Sequence, residues 1–446
     1  MAPSPHRKMP NPVFHEPVFN ESGVTPDPVG FAVPHPSDAK TYGAVEQLLK
    51  TQVVGFPASR LAPDGLYSLA ETYGERGRDV EEEIRTAGRV VFHVIGDSGA
   101  ASGGRAYEHE LIVADQLTAD CRDNDTANRP ALLYHVGDVV YDFGESKYYY
   151  DQFYEPFRNY PAPIIAIPGN HDSFVVPGTR TGEQPLDIFM RNFCVEVPEI
   201  SPDAGSLHRT AMTAPGVYFA LHMPFARIIG LFSNALEDPG VISSEGGRWQ
   251  GVPDLQLDFL EAQLRKAKDD AYEGALLLAV HHPPFSYSRP GEAPATHGSS
   301  IAMLAQIDGI CSRVGLYPHA VLSGHAHNYQ RYTRLIDLGK GEHEVPFIVC
   351  GDGGHHVDRL VWSHRGGRDE PGFGVDVSYL DVDPKVDAKS LTLEHYNDRD
   401  YGYVRVEATP EHLAIGYYTV GAIDSARSPP DKVTVALKTR KIVGNR

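Results

Sequence analysis

Val90-Val91-Phe92-His93-Val94-Ile95-Gly96-Asp97-Ser98-Gly99 is a short apolar run that stops at a glycine and a carboxylate. A run of this length, β-branched and without alternation, reads as a strand buried on both faces. The same design returns four times. Ala131 to Val136 ends at Gly137-Asp138, and Pro163 to Ile167 ends before Gly169-Asn170-His171. Leu276 to Val280 ends at His281-His282, and Ala320 to Leu322 leads to Gly324-His325-Ala326-His327. Helix-like stretches, Tyr107 to Leu117 and Tyr148 to Phe157, separate the first three runs. Strand, helix, strand, helix, strand is the order of a layered α/β fold with parallel strands. Such sheets place their sites just past the strand C-termini, where these polar residues sit.

Working outward, Leu255 to Leu264 reads as an amphipathic helix with Leu257, Leu260 and Leu264 on one face. Val345 to Cys350 and Gly402 to Ala408 read as strands completing a second sheet, and residues 174–250 as pocket-shaping loops. Residues 41–86 look helical, with Val45, Leu48, Leu49, Leu66, Leu69 and Ala70 as their apolar positions. Residues 1–40 are rich in proline and lack periodicity, which reads as an extended arm or disorder. The expected division is therefore a Pro-rich arm and helical N-terminal extension over 1–86, then a catalytic domain over 87–446.

Bulk composition narrows the function. Lys plus Arg number 40 against 59 Asp plus Glu, a formal net charge of -19. That surplus argues against nucleic acid or an anionic membrane as the main partner, since both need basic patches. The longest apolar runs, such as Ala275 to Val280, are far too short to span a bilayer. Cys121, Cys194, Cys311 and Cys350 are scattered without a CxxC pair, which suits free buried thiols. With no apolar leader region at the start, the sequence reads as cytoplasmic, or extracytoplasmic if a leader has been removed. Two glycosylation-like tripeptides, at Asn20 and Asn124, are too short a pattern to carry weight.

Each strand-end residue alone has an ordinary reading as a turn former, helix cap or packed loop histidine. Five such endings in order are a different matter: Asp97, Asp138 with Tyr141, Asn170 with His171, His281, and His325 with His327. Two ions about 3.5–4 Å apart can clamp the attacking and leaving oxygens of an in-line phosphoryl displacement. Such a pair needs one bridging carboxylate, with oxygen and imidazole donors completing both shells.

The ordered set Asp97-Ser98-Gly99, Gly137-Asp138-Val139-Val140-Tyr141, Gly169-Asn170-His171-Asp172, His281 before Pro283, and Gly324-His325-Ala326-His327 resembles the calcineurin-like metallophosphoesterases. Within that superfamily it is most similar to the purple acid phosphatases. Gly99 stands where the broader superfamily has a histidine, and Tyr141 is present in the second motif, the exchange that marks that branch. Phe347 to Gly354 also resembles the branch's late strand and glycine turn, and the resemblance covers roughly residues 88–415. It implies a four-layer αββα sandwich of two mixed sheets, with the metal site at strand C-terminal ends. It also implies Asp97, Asp138, Tyr141 and His327 around ferric iron, a hard anionic shell of phenolate and carboxylates. Asp138, Asn170, His281 and His325 would hold a divalent ion: zinc, manganese or ferrous iron.

His171, beside a ligand, is expected at the substrate phosphate, stabilising the transition state or protonating the leaving alkoxide. The catalytic pair is thus His171 and Asp138, with a nucleophile activated by the metals. Asp172 reads as a group orienting a ligand, or as a plain turn residue. His282 is the variable residue of His-x-Pro, while His297, His355 and His356 are pocket candidates by loop position. His93 and His135 read as core histidines, and Tyr148 to Tyr154 as a packed helix face. The expected activity is hydrolysis of small-molecule phosphate monoesters. Phosphodiester hydrolysis with the same metals, or a binding protein without catalysis, are the alternatives. The plant-type enzymes carry an N-terminal β-sandwich, where this sequence has the short Pro-rich and helical extension.

Overall fold

Val90–Ile95 is buried at every position, as a strand covered on both faces requires. It is one of sixteen strands in the computed structural model, which describes residues 16–20, 38–100, 104–179, 181–339, 341–362, 370–420 and 429–444. Most of the arm expected over residues 1–40 lies outside the described residues.

The chain opens with α1 (Ala39–Leu49), β1 (Tyr67–Ser68), α2 (Leu69–Tyr73) and α3 (Gly77–Ala87). It continues through β2 (Val90–Ile95), α4 (Gly104–Asp120), β3 (Leu133–His135), α5 (Ser146–Tyr149) and β4 (Ile164–Ala166). Next come α6 (Asp187–Phe193), β5 (Phe219–Met223), β6 (Ala226–Leu231), α7 (Leu255–Asp269) and β7 (Ala275–Val280). Then follow α8 (Ile301–Val314), β8 (Ala320–Ser323), β9 (Tyr329–Asp337), β10 (Glu342–Cys350) and β11 (Val375–Asp376). The last strands are β12 (Asp387–Asn397), β13 (Gly402–Ala408), β14 (His412–Thr419), β15 (Asp431–Ala436) and β16 (Lys441–Ile442).

These strands form two mixed sheets, ordered β1-β5-β6-β7-β8-β10-β9-β12-β11 and β16-β15-β14-β13-β2-β3-β4. β2, β3 and β4 are parallel neighbours, as are β6, β7 and β8, so each sheet has a parallel part, inside the nine-stranded sheet and at one edge of the seven-stranded one. Helices α3 and α4 contact the β2–β13 side, while α7 packs on α8 and on β6 of the other sheet. Strand β10 touches β13 and β16 across the sheet interface, giving the expected helix, sheet, sheet, helix order. At one end the sheets are stitched together: the Gly96 N–H donates to the Cys350 carbonyl (2.9 Å), and the His325 N–H to Asp97 Oδ2 (2.8 Å). The parallel strands of both sheets therefore release their polar residues into one shared space.

Three expectations need correction. Val345–Cys350 and Gly402–Ala408 lie in different sheets, because β10 pairs with β8 and β9 while β13 pairs with β2 and β14. Residues 174–250 hold more than loops: α6 and the antiparallel pair β5–β6 lie there, with β6 parallel to β7. Residues 41–86 are helical only in part, for Tyr67–Ser68 pairs with Leu221–His222 at the sheet edge. Among the apolar positions of that stretch, Leu49 and Leu69 are buried but Leu48 is 39% exposed.

Candidate metal centre and phosphate site

The loops after β2, β3, β4, β7 and β8 carry Asp97, Asp138, Asn170, His281 and His325 with His327, and all six are buried. Backbone strain marks the same places. Asp97 (φ 57°), Asp138 (φ 58°) and His325 (φ 67°) occupy the left-handed region that non-glycine residues seldom adopt. Strain of this kind costs on the order of 1–3 kcal/mol per residue and persists only where the surroundings over-determine it.

Four groups converge on one point. The Tyr141 hydroxyl donates to Asp97 Oδ1 (3.1 Å) and Asp138 Oδ2 (3.0 Å), and lies 3.2 Å from His327 Nε2. The same Asp138 Oδ2 is 3.2 Å from His281 Nε2, which is 3.0 Å from Asn170 Oδ1. Asp138, His281 and His325 present ligand atoms within 4.8 Å of one another. Asp138 thus faces both groups of side chains. The His325 ring makes its own contacts: Nε2 lies 2.6 Å from the Glu237 carbonyl and 3.7 Å from Asp238.

Electrostatics makes the set fit cations. Burial, and then the charge of Asp138, raise the Asp97 carboxyl to about 8 against the pull of His281. Burial would raise Asp138 too, but His281 and His171 hold it below the usual carboxylate range. Burial, Asp138 and Asp97 push the Tyr141 phenol far above its ordinary value. Two buried carboxylates and a phenol crowded together with imidazoles are costly as they stand, and divalent or trivalent ions would relieve that cost.

Supporting groups hold the frame. Asp172 accepts from the backbone N–H groups of Asp138 (2.7 Å), Val139 (2.9 Å) and Gly169 (3.0 Å), so it fixes two strand-end loops at once. A Cβ on Gly169 would lie 2.1 Å from Asp138 Oδ1, which explains a glycine at that position. At Gly99 a Cβ would meet the Val139 carbonyl at 2.7 Å and Gln152 Oε1 at 2.8 Å. A side chain at position 99 has no room, and Tyr141 fills the site from the neighbouring loop instead. The Tyr141 ring is stacked on His355 (3.6 Å between centroids) and tilted against His171 (4.2 Å). His355 is held in turn by an Nδ1–H bond to the Gly99 carbonyl (2.8 Å).

The remaining histidines separate. His282 is buried against Ser233 Oγ and the Leu236 carbonyl, both 2.7 Å away, so it braces the loop after β6. Burial and the neighbouring His281 lower it to about 3. The His297 ring is tilted against His325 (3.9 Å between centroids) and His356 Nε2 lies 3.0 Å from His327 Nδ1, so both sit at the centre. His93, bonded to Tyr160, is a core residue as expected; His135 is buried too and braces Ser98 beside Asp97. Tyr148, Tyr149, Tyr150, Phe153 and Tyr154 are all buried, and the four cysteines are free and buried.

Sequence reading missed Tyr42, Glu237 and Asp238. Glu237 Oε2 accepts from Asn170 Nδ2 (3.4 Å), and the Asp238 carboxylate lies 3.7 Å from both His297 and His325. A signal existed for the latter two, since they follow the apolar run Ile228 to Phe232 just as the other site residues follow theirs. For Tyr42, inside an amphipathic helix far up the chain, there was none.

A fold of two mixed sheets that gathers carboxylates, an amide and imidazoles at its strand ends defines a metal-dependent phosphoesterase architecture. The chain belongs to the calcineurin-like phosphoesterase family, a family of phosphoric ester hydrolases whose model matches residues 90–329, over half its length. No curated protein matches it. Among solved structures it is similar to the purple acid phosphatase PPD1 of yellow lupin (Lupinus luteus), at 15% identity and a TM-score of 0.46. That match covers 78% of this chain but 54% of the lupin chain, so it spans about half of that enzyme. It is also similar to PhoD (14% identity, 78% of this chain and 70% of that one, TM-score 0.44). A third is GAP50, the anchor in the inner membrane complex of Plasmodium (11% identity, 79% and 91%, TM-score 0.47). Among the described residues no helix is long and apolar enough to cross a membrane.

Proposed function

We propose that this protein hydrolyses small phosphate monoesters at a binuclear metal centre of the purple acid phosphatase type. Asp97, Asp138, Tyr141 and His327 would hold ferric iron, and Asp138, Asn170, His281 and His325 a divalent zinc, manganese or iron ion. The observation that carries the reading is the Tyr141 hydroxyl within 3.2 Å of Asp97, Asp138 and His327. A phenol so placed among buried carboxylates suits a hard trivalent ion. When bound, the ion pair supplies a nucleophile near neutral pH and neutralises charge on the phosphoryl group.

The chain's own residues do the rest. His171 Nδ1 donates to the Asp142 carbonyl (2.8 Å), which fixes the ring and leaves Nε2 to serve the phosphoryl or leaving oxygen. The His171 backbone N–H donates to Asp138 Oδ1 (2.9 Å), tying the proton-handling ring to the bridging carboxylate. Asp172 keeps both loops in register through their backbone.

Metal analysis with a visible spectrum tests the centre. Iron with one divalent ion, and a visible charge-transfer band lost in Tyr141→Phe, is the expected result. A colourless active protein with two manganese or zinc ions would overturn the ferric assignment, and a strong preference for aryl diesters would overturn the monoester reading.

A further inference from the structure

Helix α1 lies outside the segment that the family model matches, yet it covers the site. Its Tyr42 hydroxyl donates to Glu237 Oε2 and sits 3.4 Å from His171 Nε2. The Tyr42 ring stacks on the His171 ring, 4.8 Å between centroids and 22° between planes, and leans on Phe143. Both ends of the helix are tied to the catalytic side. Asp38, at its start, accepts from Lys147 Nζ (2.7 Å) and from the Tyr148 hydroxyl. Leu49, at its end, is buried and takes the Glu237 N–H on its carbonyl (3.2 Å).

This placement has a steric and chemical consequence. With His171 Nδ1 committed to Asp142, Nε2 is the only ring atom left for a ligand. Any oxygen bonded to Nε2 enters the space in front of the Tyr42 hydroxyl. Glu237 meanwhile presents a carboxylate to both Tyr42 and Asn170 Nδ2, an anionic acceptor where an oxyanion would also find donors. A phosphoryl oxygen and a carboxylate oxygen compete for the same donor, and the more highly charged phosphate is the stronger acceptor.

We propose that Tyr42 is a substrate-contacting residue, whose hydroxyl exchanges the Glu237 carboxylate for a phosphoryl oxygen when the ester binds. Helix α1 thereby recognises the substrate from outside the family's matched segment, and Glu237 competes against empty-site anion binding. The inference rests on the phosphatase reading above.

The test uses the full chain loaded with metal, and inorganic phosphate as the probe in calorimetric titration. Tyr42→Phe, which keeps the ring and removes the hydroxyl, should weaken phosphate binding several-fold, the margin by which phosphate is a better acceptor for that hydroxyl than the Glu237 carboxylate. KM for an aryl monoester should rise more than kcat falls, the mark of lost uniform binding. Glu237→Gln should move the other way and tighten phosphate several-fold, which a purely structural pair would not do. Wild-type affinity in both variants would overturn the inference while leaving the phosphatase reading standing. A metal-loaded wild type that neither binds phosphate nor turns over esters would overturn the functional reading, and this inference with it.

Discussion

Asp172 shows how much one carboxylate can organise. It ligates nothing in the proposed centre, yet four backbone N–H groups from two loops end on it, all buried. The sequence left it open between an orienting group and a turn former. The structure shows a backbone clamp that keeps Asp138 in its strained left-handed conformation. Asp172→Ala would orphan these donors, and each unsatisfied buried group costs about 1–3 kcal/mol. We expect a fall in unfolding free energy of several kcal/mol and weaker metal retention, read by urea denaturation and metal analysis. Asp172→Asn, which keeps an acceptor oxygen, should recover part of the stability. Unchanged stability in the alanine variant would show that the loops hold themselves.

At the scale of elements, legibility followed local pattern. β2, β3, β4, β7 and β8 were readable because each is a short apolar run ending in polar residues, with every position buried. β9 and β12 were not, since YQRYTRLID and DAKSLTLEHYN mix charge into the strand and look like loops. The pairing of Gly402–Ala408 with β2 was invisible for another reason: strand pairing across three hundred or so residues leaves no local mark. Arg334 of β9 shows what the charge is for. Fully buried, it bonds Asp308 of α8 (2.7 Å) and Asp381 (2.7 Å), locking helix to strand. Removing one partner of a buried ion pair leaves an uncompensated charge, which costs about 3–5 kcal/mol. Asp308→Ala should therefore destabilise the fold by an amount in that range in urea titration. A loss below about 1 kcal/mol would mean that Asp381 and the Tyr317 hydroxyl (3.2 Å) suffice.

The whole molecule depends on two sheets staying in register, and a buried histidine links them away from the metal centre. His319 Nδ1 accepts the Leu276 N–H of β7 (2.9 Å), while Nε2 lies 3.2 Å from the carbonyl of Leu437, just past β15 in the other sheet. The ring satisfies both contacts only when neutral, with Nε2–H donating to Leu437. Burial, and then the charge of Arg440, lower its pKa to about 3, against about 6.5 in an unfolded chain. The folded value is depressed, so above about pH 6.5 both states are neutral and the staple contributes in full. Below that, the unfolded chain takes up a proton that the folded chain refuses, and stability falls until the pH reaches about 3. The slope approaches about 1.4 kcal/mol per pH unit from this one group. Unfolding free energies of wild type and His319→Gln at several pH values between 7.5 and 4.5 isolate it, since other buried histidines titrate in both proteins. The wild type should lose stability more steeply, with the difference confined to the acid side of 6.5. Parallel curves would show that His319 is protonated in the fold and that some other contact joins the sheets there.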